Sequence, residues 1–114
     1  MTKRVNTVQP VDDEDEQPPE EMIEYPLSEP INAYGEKTMV LKLRKPTGAD
    51  LIRVGNPVVF YPHADPVKIE HDMPRMVQMI SRLAGVPSSS VERMLPADLT
   101  GLAWTLSPFF IPRV

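Results

Sequence analysis

The chain has no cysteine. Disulfide frameworks, thiolate metal ligation and a thiol nucleophile are therefore excluded, and nothing points to an oxidising compartment. Glycine is scarce and scattered. The five glycines, at 35, 48, 55, 85 and 101, stand alone, so there is no glycine-rich phosphate loop. No apolar run approaches the roughly 18 residues needed to cross a bilayer. Lys3 and Arg4 are not followed by the apolar stretch of a secretory signal, and the expected location is the cytoplasm of the cell that makes the chain.

What is present is proline, methionine and an uneven charge. Fourteen prolines in 114 residues break long helices and bar central strands where they occur, so the elements must be short. Residues 1–29 hold nine acids and two bases, and residues 30–114 hold seven acids and ten bases. The formal charge of −4 thus divides into a disordered acidic arm, residues 1–24, and one mildly basic domain, residues 25–114. The arm contains Asp12-Asp13-Glu14-Asp15-Glu16, Pro18-Pro19 and Glu20-Glu21. Such like-charge blocks solubilise, and this one could also shield a surface of its own domain.

The domain reads as a small α+β fold, predominantly α, with an N-terminal β-hairpin and about four short helices. Tyr25-Pro26-Leu27 and Pro30-Ile31 suggest a short, proline-interrupted edge strand, and Asn32 to Glu36 a turn. Met39, Leu41 and Leu43 alternate with Thr38, Val40, Lys42 and Arg44, the period of a strand with one buried face. Thr47 with Asp50 forms a capping box for a first helix that stops at Gly55. Residues 56–70 carry three prolines and are expected as an ordered connector that sends Phe60 or Tyr61 into the core. A second helix should run from Asp72 as N-cap to Ala84, with Gly85 as its stop. Ser89 with Glu92 offers a capping box for a third helix. A fourth opens at Pro96 and carries Leu99, Leu102, Ala103 and Leu106 on one side.

Catalytic and metal chemistry find little support. His63, Asp65, Glu70, His71 and Asp72 are metal-competent types, but the two histidines are separated by a proline-broken stretch rather than one helical turn. Ser88-Ser89-Ser90 lacks the glycine-flanked turn of an activated nucleophile. Paired carboxylates concentrate in the arm, where nothing holds them in a catalytic geometry. An enzyme is not expected, nor a metal or cofactor. Lys42, Arg44, Lys45, Arg75, Arg82 and Arg93 could form a basic face. The bases are sparse, however, and the neighbouring arm would compete with phosphate.

The second helix is the informative element. Met73, Met76, Val77, Met79, Ile80, Leu83 and Ala84 cover an arc of roughly 160° on a helical wheel, more than one packing face needs. Either the helix is sandwiched between the hairpin and the fourth helix, or part of the arc serves a partner, a use to which the adaptable methionine side chain is suited. Trp104, Phe109 and Phe110 pose the same question as core plug or exposed anchor. The partner-binding candidates are therefore Met73, Met76, Met79, Ile80, Leu102, Trp104, Phe109 and Phe110.

The hairpin followed by Arg44-Lys45-Pro46-Thr47-Gly48-Ala49-Asp50-Leu51 resembles the opening of the tail assembly chaperones of contractile-tailed, Mu-like phages. The resemblance continues through Met79 to Pro87 and Val91 to Leu99 and ends at Phe109-Phe110, with Arg44, Pro46, Asp50, Leu83, Gly85, Val86, Asp98 and Phe110 as matching positions. Most of these read as fold determinants; Asp98, for one, would charge a helix N-terminus. The resemblance implies a phage or prophage protein that coats the long apolar tape measure protein and keeps it soluble until the tail tube polymerises around it. Tail tube protein and a second copy of the chain are further candidate partners, while nucleic acid and membrane are not expected. It also raises a frameshifted longer product, since Phe109-Phe110 is compatible with a slippery run in the message. The alternatives are a structural tail or baseplate component retained in the virion and a small nucleic-acid-binding regulator.

Overall fold

The computed structural model describes residues 22–112. All but the last three residues of the expected acidic arm lie outside that range. Two antiparallel hairpins are interleaved with four helices: β1 (Ile23–Ala33), β2 (Glu36–Leu43), α1 (Gly48–Val54), β3 (Val58–Tyr61), β4 (Lys68–His71), α2 (Met73–Ala84), α3 (Ser88–Glu92) and α4 (Pro96–Leu106). A 3₁₀ turn at Ser107–Phe110 closes the described chain. Roughly 43% is helix and 30% strand, a more even α+β mixture than the mainly helical fold expected from sequence.

The β1–β2 hairpin pairs Ile23 with Leu43 and Ala33 with Glu36, and its register breaks between Pro26 and Ile31. Proline has no N–H to give the ladder, so a bulge at this point costs little pairing. The expected short strand is therefore eleven residues long, and Leu27 and Ile31, four positions apart, are both buried on its core face. At the turn, Tyr34 and Gly35 both have positive φ, 55° and 81°, the pattern of a tight two-residue hairpin connection. Glycine adopts it freely, tyrosine rarely. On β2, Leu41 and Leu43 are buried as expected, but Met39 is half exposed; it lies at the register break, where the strand's alternation is interrupted.

Residues 56–70, expected as an ordered connector, contain most of a second hairpin. β3 and β4 pair antiparallel, with Val58 opposite His71 and Tyr61 opposite Lys68. The run Val58-Val59-Phe60-Tyr61 is β-branched and aromatic, and Pro57 and Pro62 flank it without entering the ladder. Neither Phe60 nor Tyr61 plugs the core: Val58 is the buried residue, Phe60 is half buried and Tyr61 exposed.

Helix α2 begins and ends as its sequence indicates. Asp72 accepts a hydrogen bond from the Arg75 N–H at 3.1 Å, and Gly85, at φ 69°, sends its N–H back to the Ser81 carbonyl. Helix α2 packs on α1, α3 and β2, and its Met76, Met79 and Ile80 are fully enclosed. The expected Ser89–Glu92 capping box is absent. Pro87 is the N-cap of α3 and no side chain caps it, so Ser89 lies inside the first turn, while Ser90 donates its hydroxyl to the Asn32 carbonyl on β1 at 2.6 Å. One core joins the first hairpin, α2, α3 and α4 through Leu27, Leu43, Val91, Leu102 and Leu106 among others.

Candidate protein-interaction surface

Several charged residues of the fold are committed to each other. Asp50 is buried at the start of α1 and receives two bonds from the Arg44 guanidinium, at 2.8 and 2.7 Å. A third comes from Arg82 Nε at 2.5 Å, and the Thr47 N–H adds a fourth at 2.8 Å. The Arg44 bonds foremost, with those from Arg82 and Thr47, outweigh burial and hold the Asp50 carboxyl far below the usual carboxylate range. This carboxylate welds the end of β2, the first turn of α1 and the last turn of α2 together. It also pairs Arg44 and Arg82, two of the bases that could have formed a basic face, while Arg75 pairs with Asp72 at 3.4 Å.

A second carboxylate fastens β1 to α4. Asp98 accepts from the Ser28 N–H at 2.8 Å and from the Ser28 hydroxyl at 2.9 Å. It was expected simply to charge a helix N-terminus; it also satisfies the backbone of the β1 bulge. One turn along α4, the Tyr25 hydroxyl lies so close over Gly101 that a Cβ there would overlap it. An isolated glycine inside a helix is the sequence signal of such an approach, whereas the partner, Tyr25, carries no signal of its own.

None of the metal-competent residues gathers into a cluster: among the described residues no group of three or more could hold an ion. Glu70 pairs with Lys68 at 2.8 Å and Asp72 caps α2. His71 Nε2 lies 2.7 Å from the Ser107 hydroxyl, which itself donates to the Ala103 carbonyl at 2.8 Å. Ser107 has one hydrogen to give, so the His71 ring donates through Nε2. Burial lowers the His71 pKa, favouring the neutral ring. The Trp104 indole meets this ring edge-on, with centroids 4.6 Å apart and planes at 78°.

These contacts sort the eight partner-binding candidates. Met76, Met79, Ile80 and Leu102 are fully enclosed and Phe110 is buried, and the broad apolar arc of α2 is covered chiefly by β2, α1 and α3, where the sequence reading had named the hairpin and the fourth helix. Met73 is half buried against the core. Trp104 remains 52% exposed and Phe109 46% exposed. They stand at the end of α4 and in the 3₁₀ turn that follows it. The surface also carries apolar side chains that the sequence pattern did not single out, chiefly Ile52 on α1, exposed to 84%, and Tyr34 at the hairpin tip. No helix of the described chain is long and apolar enough to cross a membrane.

Geometry of this kind, a small α+β body with half-exposed aromatic residues, offers contact surface. Residues 24–111 match the family described as phage tail assembly chaperone proteins, E, or 41 or 14. The chain belongs to this family of tail assembly chaperones. No curated protein and no solved structure matches the chain.

Proposed function

We propose that this chain binds the tape measure protein of a contractile-tailed, Mu-like phage or prophage in the host cytoplasm. It holds that long apolar protein in solution until the tail tube polymerises around it, and it does so by binding, without catalysis. The observation that carries this reading is the pair Trp104 and Phe109, left about half exposed beside a helix whose inner residues Leu102, Ala103 and Leu106 are closed to solvent. Large aromatic side chains that a fold does not use internally are the usual anchors of a protein contact.

The test is co-expression with the tape measure protein encoded near this chain. The soluble tape measure fraction should rise with the wild-type chain and fall back with Trp104→Ala/Phe109→Ala. Equal insolubility with and without the wild-type chain would refute the proposal. Mass spectrometry of purified particles separates a chaperone, absent from mature tails, from a structural component present in stoichiometric amount.

A further inference from the structure

Helix α1 gives only one side to the body of the fold. Asp50 is buried and Val54 packs against the core, whereas Gly48, Ala49, Ile52 and Arg53 share the opposite side at helical spacing and are exposed. Ile52, at 84%, is the most exposed large apolar side chain among the described residues. The charge around it is mainly of one sign. Arg44, Lys45, Arg53 and Arg82 stand on or beside α1, and the Arg75 side chain lies against Gly55 at its end. The acids that face these five bases are two, Asp50, which is enclosed, and Asp72, which pairs with Arg75. Three positive charges remain in excess, and Arg53 makes no ion pair among the described residues.

The N-terminal arm joins the domain beside this face. Ile23 is paired with Leu43, so the residue before it, Met22, comes alongside Arg44, whose guanidinium is bonded to Asp50 in the first turn of α1. Residues 12–21 hold seven acids and no base. The four residues from Pro18 to Glu21 span about 12 Å at about 3.1 Å each. Helix α1, seven residues long, spans about 10 Å.

We infer that residues 12–21 fold back over the outer face of α1, with their carboxylates against Lys45 and Arg53 and the Pro18-Pro19 rings over Ile52. The exposed face calls for an occupant that is acidic and has some apolar surface, and a segment of that chemistry is tethered at its edge. A short tether gives an effective concentration in the millimolar range, so weak contacts suffice to hold the segment there. The bases also offset the like-charge repulsion within the acidic block. Contacts between exposed charges are screened by salt over about 10 Å at 0.1 M, so the cover opens as ionic strength rises. This inference is independent of what the Trp104 surface binds.

The experiment uses the full chain, whose lack of cysteine allows a single nitroxide to be placed on Gln17→Cys. At low salt the label should broaden the amide signals of Ala49, Ile52 and Arg53 at least threefold more than that of Tyr34, which stands at the far end of the first hairpin. The difference should vanish at about 0.5 M salt, where the Debye length is well under 10 Å. It should also vanish in Arg53→Glu, and when Asp12→Asn, Asp13→Asn, Glu14→Gln, Asp15→Asn and Glu16→Gln are combined. Thermal unfolding of each variant checks that the domain is intact. Uniform broadening overturns the inference, as does broadening centred on Trp104 and Phe109, which would assign the arm to that surface. A contact indifferent to salt and to Arg53→Glu overturns it too. So does equal broadening of isotope-labelled chains that carry no nitroxide when they are mixed with labelled ones, which would make the arm of a second copy the occupant.

Discussion

Asp98 holds both the backbone N–H and the hydroxyl of Ser28, a residue 70 positions away. The bond pair anchors the irregular stretch between the buried residues Leu27 and Ile31, so its loss should be felt through β1. Asp98→Ala leaves the Ser28 N–H without its acceptor in a partly buried setting, and should cost about 2 kcal/mol. For a domain of this size that is a fall in Tm of about 10 °C, readable by circular dichroism. Ser28→Ala, which keeps the backbone bond, should cost less than half as much.

Gly101 should resist a substitution that helix propensity favours. Alanine is better than glycine inside a helix by about 1 kcal/mol, yet Gly101→Ala would drive its Cβ into the Tyr25 hydroxyl. The variant is expected to be less stable than wild type in thermal or urea unfolding. Adding Tyr25→Phe, which removes the clashing oxygen, should recover part of the loss. A Gly101→Ala protein more stable than wild type would contradict the packing of β1 on α4.

Asp50 makes stability depend on pH in a direction that can be worked out. Its carboxyl titrates below the usual range in the folded state because of Arg44 and Arg82, so the unfolded chain takes up the proton first on acidification. The contribution is complete above the ordinary carboxylate pKa and is lost as the pH falls through the folded value, in strongly acidic solution. Asp50→Asn should cost about 2–3 kcal/mol at neutral pH. That is less than the about 3–5 kcal/mol expected on breaking a fully buried ion pair, since the two arginines are about one-third exposed. The gap between wild type and variant should narrow progressively as the pH is lowered, as urea titrations at several pH values would record.

Phe109 and Phe110 are neighbours in sequence and should behave oppositely. Phe110 is buried, and Phe110→Ala should destabilise the domain by about 3 kcal/mol. Phe109 is about half exposed, and Phe109→Ala should change stability by less than about 1 kcal/mol while reducing the yield of soluble tape measure protein on co-expression. Unfolding and solubility assays on the same two proteins give both readouts.

Local punctuation in the chain was enough to set the helices. Thr47 and Asp50 open α1, Asp72 and Gly85 bound α2, and Pro96 opens α4, because caps and stops act over three or four residues and are written in the residues themselves. The alternation that identifies β2 and the order of motifs that places the chain among tail assembly chaperones are local in the same sense. The second hairpin escaped because its strands are four residues long and carry no clean alternation. The Ser89–Glu92 box misled because α3 begins earlier, with Pro87 as its N-cap, which puts Ser89 inside the first turn.

Tertiary structure decided everything that depends on residues far apart. The methionine arc of α2 could equally have been core or contact surface by sequence, since apolar periodicity states which side chains avoid water and not what covers them; only the packing of β2, α1 and α3 around it closed that face. Arg82 looked like a surface base until Asp50, 32 positions away, claimed it. Phe109 and Phe110 are the same residue type in adjacent positions, and the 3₁₀ turn sends one inward and one outward. Caps, stops and the alternation of β2 placed most of the elements, because they act over a few residues, and the family is carried by the match over residues 24–111. Which apolar and charged groups remain free for a partner is a property of long-range contacts, and no single segment carries it.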